Sequence, residues 1–145
     1  MELNCNEIVL VNGESFLVVG VDHYYLYNCL NQQVTWKSYT LQNKDKRVGL
    51  SFTQGQLIFW RTVDFSDFQE RELFEELTGI AHIQFEGDSG PSKPFASLIW
   101  FKDRNSTKEY YLIETFFEYT GVELIAANTM FQIGEKIDNE QISSS

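Results

Sequence analysis

The sequence predicts an all-β domain, an antiparallel sandwich or partly open barrel of about nine or ten strands built from hairpins, with at most one short helix. Three observations predict it. Aromatic residues make up 15% of the 145-residue chain, and aromatic and β-branched side chains fit a pleated, half-buried surface. Short runs of such residues recur along the chain, divided by Gly, Asn and Asp, which tolerate the backbone of tight turns. Residues 34–41, Val-Thr-Trp-Lys-Ser-Tyr-Thr-Leu, form a strand pattern that is not apolar on one face only. Val34, Trp36, Ser38 and Thr40 alternate with Thr35, Lys37, Tyr39 and Leu41, so large side chains point both ways, as in a strand gripped on both sides.

In chain order, residues 8–11 and 16–21 flank Asn12-Gly13, a strong signal for a two-residue hairpin turn. Asp22 and His23 read as the turn before a third strand at 24–27. After the strand at 34–41, the basic group 44–47 reads as a solvated hairpin turn. Residues 48–52 and 56–61 flank Gln54-Gly55, and the second run sets Leu57 and Phe59 against Ile58 and Trp60. The stretch 64–77 is ambiguous: Phe65, Phe68, Leu73, Phe74 and Leu77 can form a helical stripe, and its Glu content favours a helix, whereas Leu73, Glu75 and Leu77 also alternate. Strands resume at 80–85 and 95–101 around a Gly- and Pro-rich loop, 87–94, then at 110–119 and 122–133 around Thr120-Gly121. The length suits one domain, residues 1–138, and the polar tail 139–145 is expected to fray.

The net charge of −10 argues against nucleic acid as a partner, because phosphates would be repelled and no basic face is evident. Within 64–88, Asp64, Asp67, Glu70, Glu72, Glu75, Glu76, Glu86 and Asp88 are opposed only by Arg71, a density that could steer a basic partner. Cys5 and Cys29 are too few for a disulfide framework and lack metal-ligand spacing. With no leader pattern and no apolar run of membrane-spanning length, a soluble cytoplasmic protein without membrane insertion is expected. No phosphate-binding loop joins a strand to a helix, so no cofactor or metal is expected.

Trp36-Lys37-Ser38-Tyr39-Thr40-Leu41, followed by a polar turn and Gly49-Leu50, resembles the W-x-x-Y-x-L signature of a bacterial domain-of-unknown-function family catalogued as 4178. Leu77-Thr78-Gly79-Ile80-Ala81-His82-Ile83 with Glu86-Gly87 is similar to that family's G-x-A-x-V segment, and Tyr110-Tyr111-Leu112-Ile113-Glu114 with Gly121 to its later strand ending in Glu. The resemblance spans most of residues 8–130 and departs at Lys37-Ser38, where an acid before the Tyr is more usual. It implies a β-rich bacterial domain without an established activity, supplies no catalytic residues, and suggests a strand at 73–77.

Candidate chemistry is sparse. Gly87-Asp88-Ser89-Gly90 resembles the nucleophile loop of chymotrypsin-like proteases, with His23, Asp64 and Ser89 in that family's chain order. Pro91 follows where a second Gly is expected, and the same residues make an ordinary turn. Glu114 and Glu118 share a strand face with Phe116 and could act as an acid and base pair. A solvated outer face, with Tyr111, Ile113, Phe117 and Tyr119 turned inward, explains the same pattern. His82 is expected outside, alternating with the buried set Ala81, Ile83 and Phe85.

The favoured functional expectation is a non-catalytic acidic interaction module of inhibitor, immunity or assembly type, presenting Asp67, Glu70, Glu72, Glu75 and Glu76 to a basic protein partner. The first alternative is a small-ligand-binding domain with an aromatic-lined cavity walled by Trp36, Tyr39 and Trp60. The second is a hydrolase using the paired carboxylates or the Ser89 loop.

Overall fold

The computed structural model describes residues 2–27, 33–53, 55–69, 71–106 and 108–144, the side chains of 126, 127 and 144 excepted. Ten strands among them form one antiparallel sheet: β1 (Ile8–Val11), β2 (Glu14–Tyr27), β3 (Gln33–Asn43), β4 (Lys46–Thr53), β5 (Gln56–Val63), β6 (Leu73–Gly87), β7 (Phe95–Asp103), β8 (Glu109–Thr120), β9 (Glu123–Ile137) and β10 (Ile142–Ser144). The order β2-β3-β4-β5-β9-β8-β7-β6 returns to β2 through a β2–β6 pairing. Eight strands therefore close into a ring, which removes the exposed edges an open sheet would carry.

Closure depends on β2 serving two partners along its length. Its residues 14–17 pair with β1, and residues 20–27 pair with 80–87 of β6. The changeover falls at a register shift between Val18 and Gly20, and such irregularities bend a strand and let it leave one partner for another. Gly20 is required there, because a Cβ would lie 2.5 Å from Ser89 Oγ and 2.6 Å from the Asp88 carbonyl oxygen. The expected turn at Asp22-His23 is thus absent. The strands expected at 16–21 and 24–27 are one, and Asp22 sits mid-strand.

The tight turns follow the sequence. Val11 pairs with Glu14 across Asn12 and Gly13, both at positive φ, and Thr120 pairs with Glu123 across a turn holding Gly121 at φ 65°. The ambiguous 64–77 stretch resolves into a four-residue helix, α1 (Ser66–Gln69), and the start of β6. The helical stripe fails beyond Gln69 because Leu73 and Leu77 are held in the ladder with Asp103 and Trp100 of β7. Residues 139–144 do not hang free: Asn139–Gln141 make a single 3-10 turn, and Val9, Leu10 and Val11 of β1 pair with β10.

Both surfaces of the ring carry apolar packing. Inside lie Tyr24, Leu26, Trp36, Ile58, Trp60, Ala81, Ile83, Leu98, Trp100, Leu112 and Phe116. On the opposite strand faces, Tyr39, Leu41, Leu50 and Leu57 join Leu3, Val9, Val11, Phe16 and Val18 in a second core. Trp36 and Tyr39 therefore point to opposite sides, as do Ile58 and Leu57. Phe68 of α1 seals a third patch over Tyr111 and Ile133.

The large interior rings need one missing side chain. Gly134 of β9 pairs with both Trp60 and Tyr110, and a Cβ there would lie 2.5 Å from Ile58 Cγ2 and 2.6 Å from Trp60 Cε3. Gly134→Ala is expected to cost about 1–3 kcal/mol by overpacking, measured as a lower urea midpoint. An unchanged midpoint would mean that the Trp60 ring does not lie over this glycine.

Candidate functional site in the barrel interior

Alternation along the closed sheet aims a set of polar side chains into an otherwise aromatic interior. From β2 come Asp22 and Tyr24, from β3 Trp36 and Ser38, from β4 Ser51, from β5 Trp60 and Thr62, from β8 Glu114 and from β9 Gln132. They border a cavity of about 130 Å3. A second cavity of about 330 Å3 lies against Val34, Thr53, Gln56, Glu76, Lys102 and Tyr110. Trp36 and Trp100 border both and form the partition between them.

The rings are held in fixed relative positions. Tyr24 stacks on Trp36, its cross-strand partner, with centroids 4.8 Å apart and planes 5° from parallel. Trp100 meets Trp60 edge to face at 5.2 Å and Trp36 at 6.2 Å. These offset and T-shaped contacts are the favoured geometries of aromatic quadrupoles. Trp60 Nε1 donates to Ser51 Oγ at 2.8 Å, which fixes the indole plane.

Glu114 is the central polar group, 3% exposed. The Tyr24 hydroxyl donates to its Oε2, and Gln132 Nε2 donates to its Oε1 at 3.2 Å. Burial pushes its pKa up to about 7; the Tyr24 hydrogen bond opposes that rise, the nearby Asp22 charge adds to it, and the Gln132 bond opposes it. A carboxyl poised near neutrality can give up or hold its proton with little bias. Burial, and next the Glu114 charge, raise the Tyr24 phenol well above its ordinary value, so it stays a donor.

Asp22 is also buried, and burial raises its pKa, opposed by Ser92, whose Oγ donates to its Oδ2 at 2.7 Å, and by Ser89. Its Oδ1 has no hydrogen-bond partner among the described residues, nor do Trp100 Nε1 and Thr53 Oγ1. A buried polar atom left unpaired costs about 1–3 kcal/mol. Asp22 and Trp100 line the smaller cavity, and Trp100 and Thr53 the larger.

The residues singled out in the sequence fare differently. Trp36, Tyr39 and Trp60 all border the smaller cavity; the Tyr39 side chain packs in the second core, where its hydroxyl accepts the Leu3 N–H at 3.3 Å. Glu114 and Glu118 do not form a pair: Glu114 is interior, whereas a register shift at Phe116/Phe117 intervenes and Glu118 faces Lys93 at 3.6 Å. The expected facing of β8 is reversed, since Tyr110, Leu112, Glu114 and Phe116 pack inside while Tyr111 lies under α1 and Tyr119 is exposed. Ser89 Oγ donates to the Glu86 carbonyl at 3.3 Å, and His23 alternates outward between the interior Asp22 and Tyr24, so the protease-like trio is not assembled. His82 is exposed as expected, with Ala81 and Ile83 buried, but Phe85 is exposed.

Among the described acids of 64–76, one is met by a base from elsewhere in the fold. Asp67 accepts the Asp64 N–H, Glu75 accepts from Thr78 Oγ1, and Glu76 pairs with Lys102 at 3.1 Å. The Glu72 carbonyl accepts the Arg104 N–H, and Arg71 reaches Glu109 at 3.4 Å. Glu70 and Cys29 lie outside the described residues. Among the described residues no cluster of three or more His, Cys, Asp and Glu could hold a metal ion, and no helix is long and apolar enough to cross a membrane.

Sequence reasoning missed Asp22, Tyr24 and Gln132. A continuous strand through 20–26 would have put Asp22 on the same face as Tyr24 and Leu26. The class defined is an eight-stranded closed antiparallel β-barrel with a polar cluster in an aromatic interior. Compared with protein-family models, curated proteins and solved structures, the chain matches none.

Proposed function

We propose that the barrel is a small-molecule-binding domain and that its ligand sits beside Asp22, Glu114 and Gln132, against Tyr24, Trp36 and Trp60. The observation that carries this reading is the unpaired Asp22 Oδ1 in the wall of an aromatic cavity that also holds Glu114. A mostly apolar pocket with a few convergent polar groups is what small-ligand sites have in common. The cavity of about 130 Å3 suits a compact molecule, since an apolar cavity of about 150 Å3 takes up benzene.

This reading is preferred to an acidic docking face because Glu76 of that face is already paired with Lys102. It is preferred to hydrolysis by Glu114 and Glu118 because the two carboxylates face different surroundings. All three tryptophans of the chain border the cavities, so binding is expected to change the intrinsic fluorescence. The test is titration with fractionated small molecules from a cell extract, followed by mass spectrometry of what stays with the protein after gel filtration. A saturable emission change matched by a retained compound supports the reading. Emission that no fraction alters, with nothing retained, contradicts it.

A further inference from the structure

We infer that the ligand of the smaller cavity is a small organic cation, an alkylammonium of about the size of propylammonium, an assignment that rests on the preceding ligand reading. Charge around the smaller cavity is one-sided. Two carboxyl groups, Asp22 and Glu114, border the cavity, and the one basic side chain among its lining residues is Arg47. Arg47 is already engaged: its guanidinium donates to both carboxylate oxygens of Asp88. An anionic ligand would meet two buried acids with no free base to answer it, which costs several kcal/mol in a low-dielectric site.

The aromatic lining points the same way. Tyr24, Trp36, Trp60 and Trp100 surround the acids, and a cation near such ring faces is attracted by their quadrupoles, most strongly for Trp. The unpaired Asp22 Oδ1 calls for a donor, and an ammonium N–H to a carboxylate is a charge-assisted bond about twice as strong as a neutral one. A neutral hydroxyl could fill the same acceptor but would gain nothing from the rings or from the second carboxyl.

Binding is coupled to the Glu114 proton. Glu114 is faced by Tyr24 and Asp22 from β2 and by Gln132 from β9, and the remaining charges among the cavity's lining and its rim are the paired Arg47 and Asp88. An ammonium stabilises the ionised carboxylate, so the cation enters as Glu114 releases its proton to solvent. Affinity therefore rises with pH through the range in which free Glu114 titrates.

The experiment is calorimetric titration of the whole chain with matched probes: propylammonium and benzylammonium, propanol and benzyl alcohol, propionate and benzoate. Expected is binding of an ammonium at least about tenfold tighter than that of its alcohol, with no binding of the carboxylates. Raising the pH from about 6 to about 8 should tighten it about tenfold, with proton release read from buffers of different ionisation enthalpy. Glu114→Gln should abolish the pH dependence and Asp22→Asn should weaken binding at every pH, with thermal unfolding confirming that both variants fold. An alcohol or carboxylate that binds as tightly as the matching ammonium overturns the cation assignment and leaves the ligand reading standing. Failure of all six to bind, in a folded protein, overturns both.

Discussion

Raising the pH from 4.5 to about 7 is expected to remove about 3 kcal/mol of unfolding free energy through Glu114 alone. In the folded protein burial holds this carboxyl protonated up to about pH 7, whereas in the unfolded chain it ionises near its ordinary value of 4.5. Between those values the folded state binds the extra proton, so stability falls as pH rises. Below the window both states are protonated, above it both are ionised, and the contribution is constant on either side. Asp22, also raised by burial, acts in the same direction from a lower starting pH. Glu2 and Asp88 are lowered by Lys37 and Arg47 respectively, so they act below the window and with the opposite sign. The difference between wild type and Glu114→Gln isolates Glu114. Urea unfolding at about pH 5 and about pH 8 should show the variant gaining about 3 kcal/mol relative to wild type across that interval. Parallel pH profiles for the two proteins would mean that Glu114 is not buried as described.

Trp60→Ala should be the most damaging single truncation in the interior, at about 3–5 kcal/mol. The indole is 4% exposed, meets Trp100 edge to face and spans the space left by Gly134. Its removal leaves a void and deprives the buried Ser51 hydroxyl of its donor. Trp60→Phe keeps most of the volume and loses only the N–H, so it should cost clearly less. Equilibrium unfolding of the pair measures this. Equal, small losses below about 1 kcal/mol would be incompatible with a ring that fills the barrel. The alanine variant should also lose ligand-dependent fluorescence, because the cavity wall itself is gone.

Local chemistry made much of the sheet legible. Asn12-Gly13 marked a turn because two successive residues at positive φ suit Asn and Gly, and the two-sided character of residues 34–41 foretold packing on both faces of β3. What stayed illegible is long-range. The pairing of 20–27 with 80–87 that closes the ring leaves no mark in alternation, which reports a strand's faces and not its neighbours. The same limit misplaced Glu114. Along 110–117 both faces are apolar, so the acid was the natural marker of a water-facing side, whereas Tyr24 and Gln132, which make its burial tolerable, come from distant strands. Asp22 was mistaken for a turn residue because a buried aspartate and a loop aspartate look alike until the strand around it is seen to continue. Within the acidic stretch, Lys102, the partner of Glu76, comes from β7 and is brought to it only by the β6–β7 ladder.

The central claim, that the barrel interior holds a small molecule, is tested most directly by the indole N–H resonances of the three tryptophans during titration with the six matched probes. Trp36 and Trp100 border both cavities and Trp60 the smaller one, so an interior ligand should shift all three in parallel and saturably, with one midpoint. Indole resonances that none of the probes moves, or shifts that grow linearly without saturation, would contradict an interior binding site.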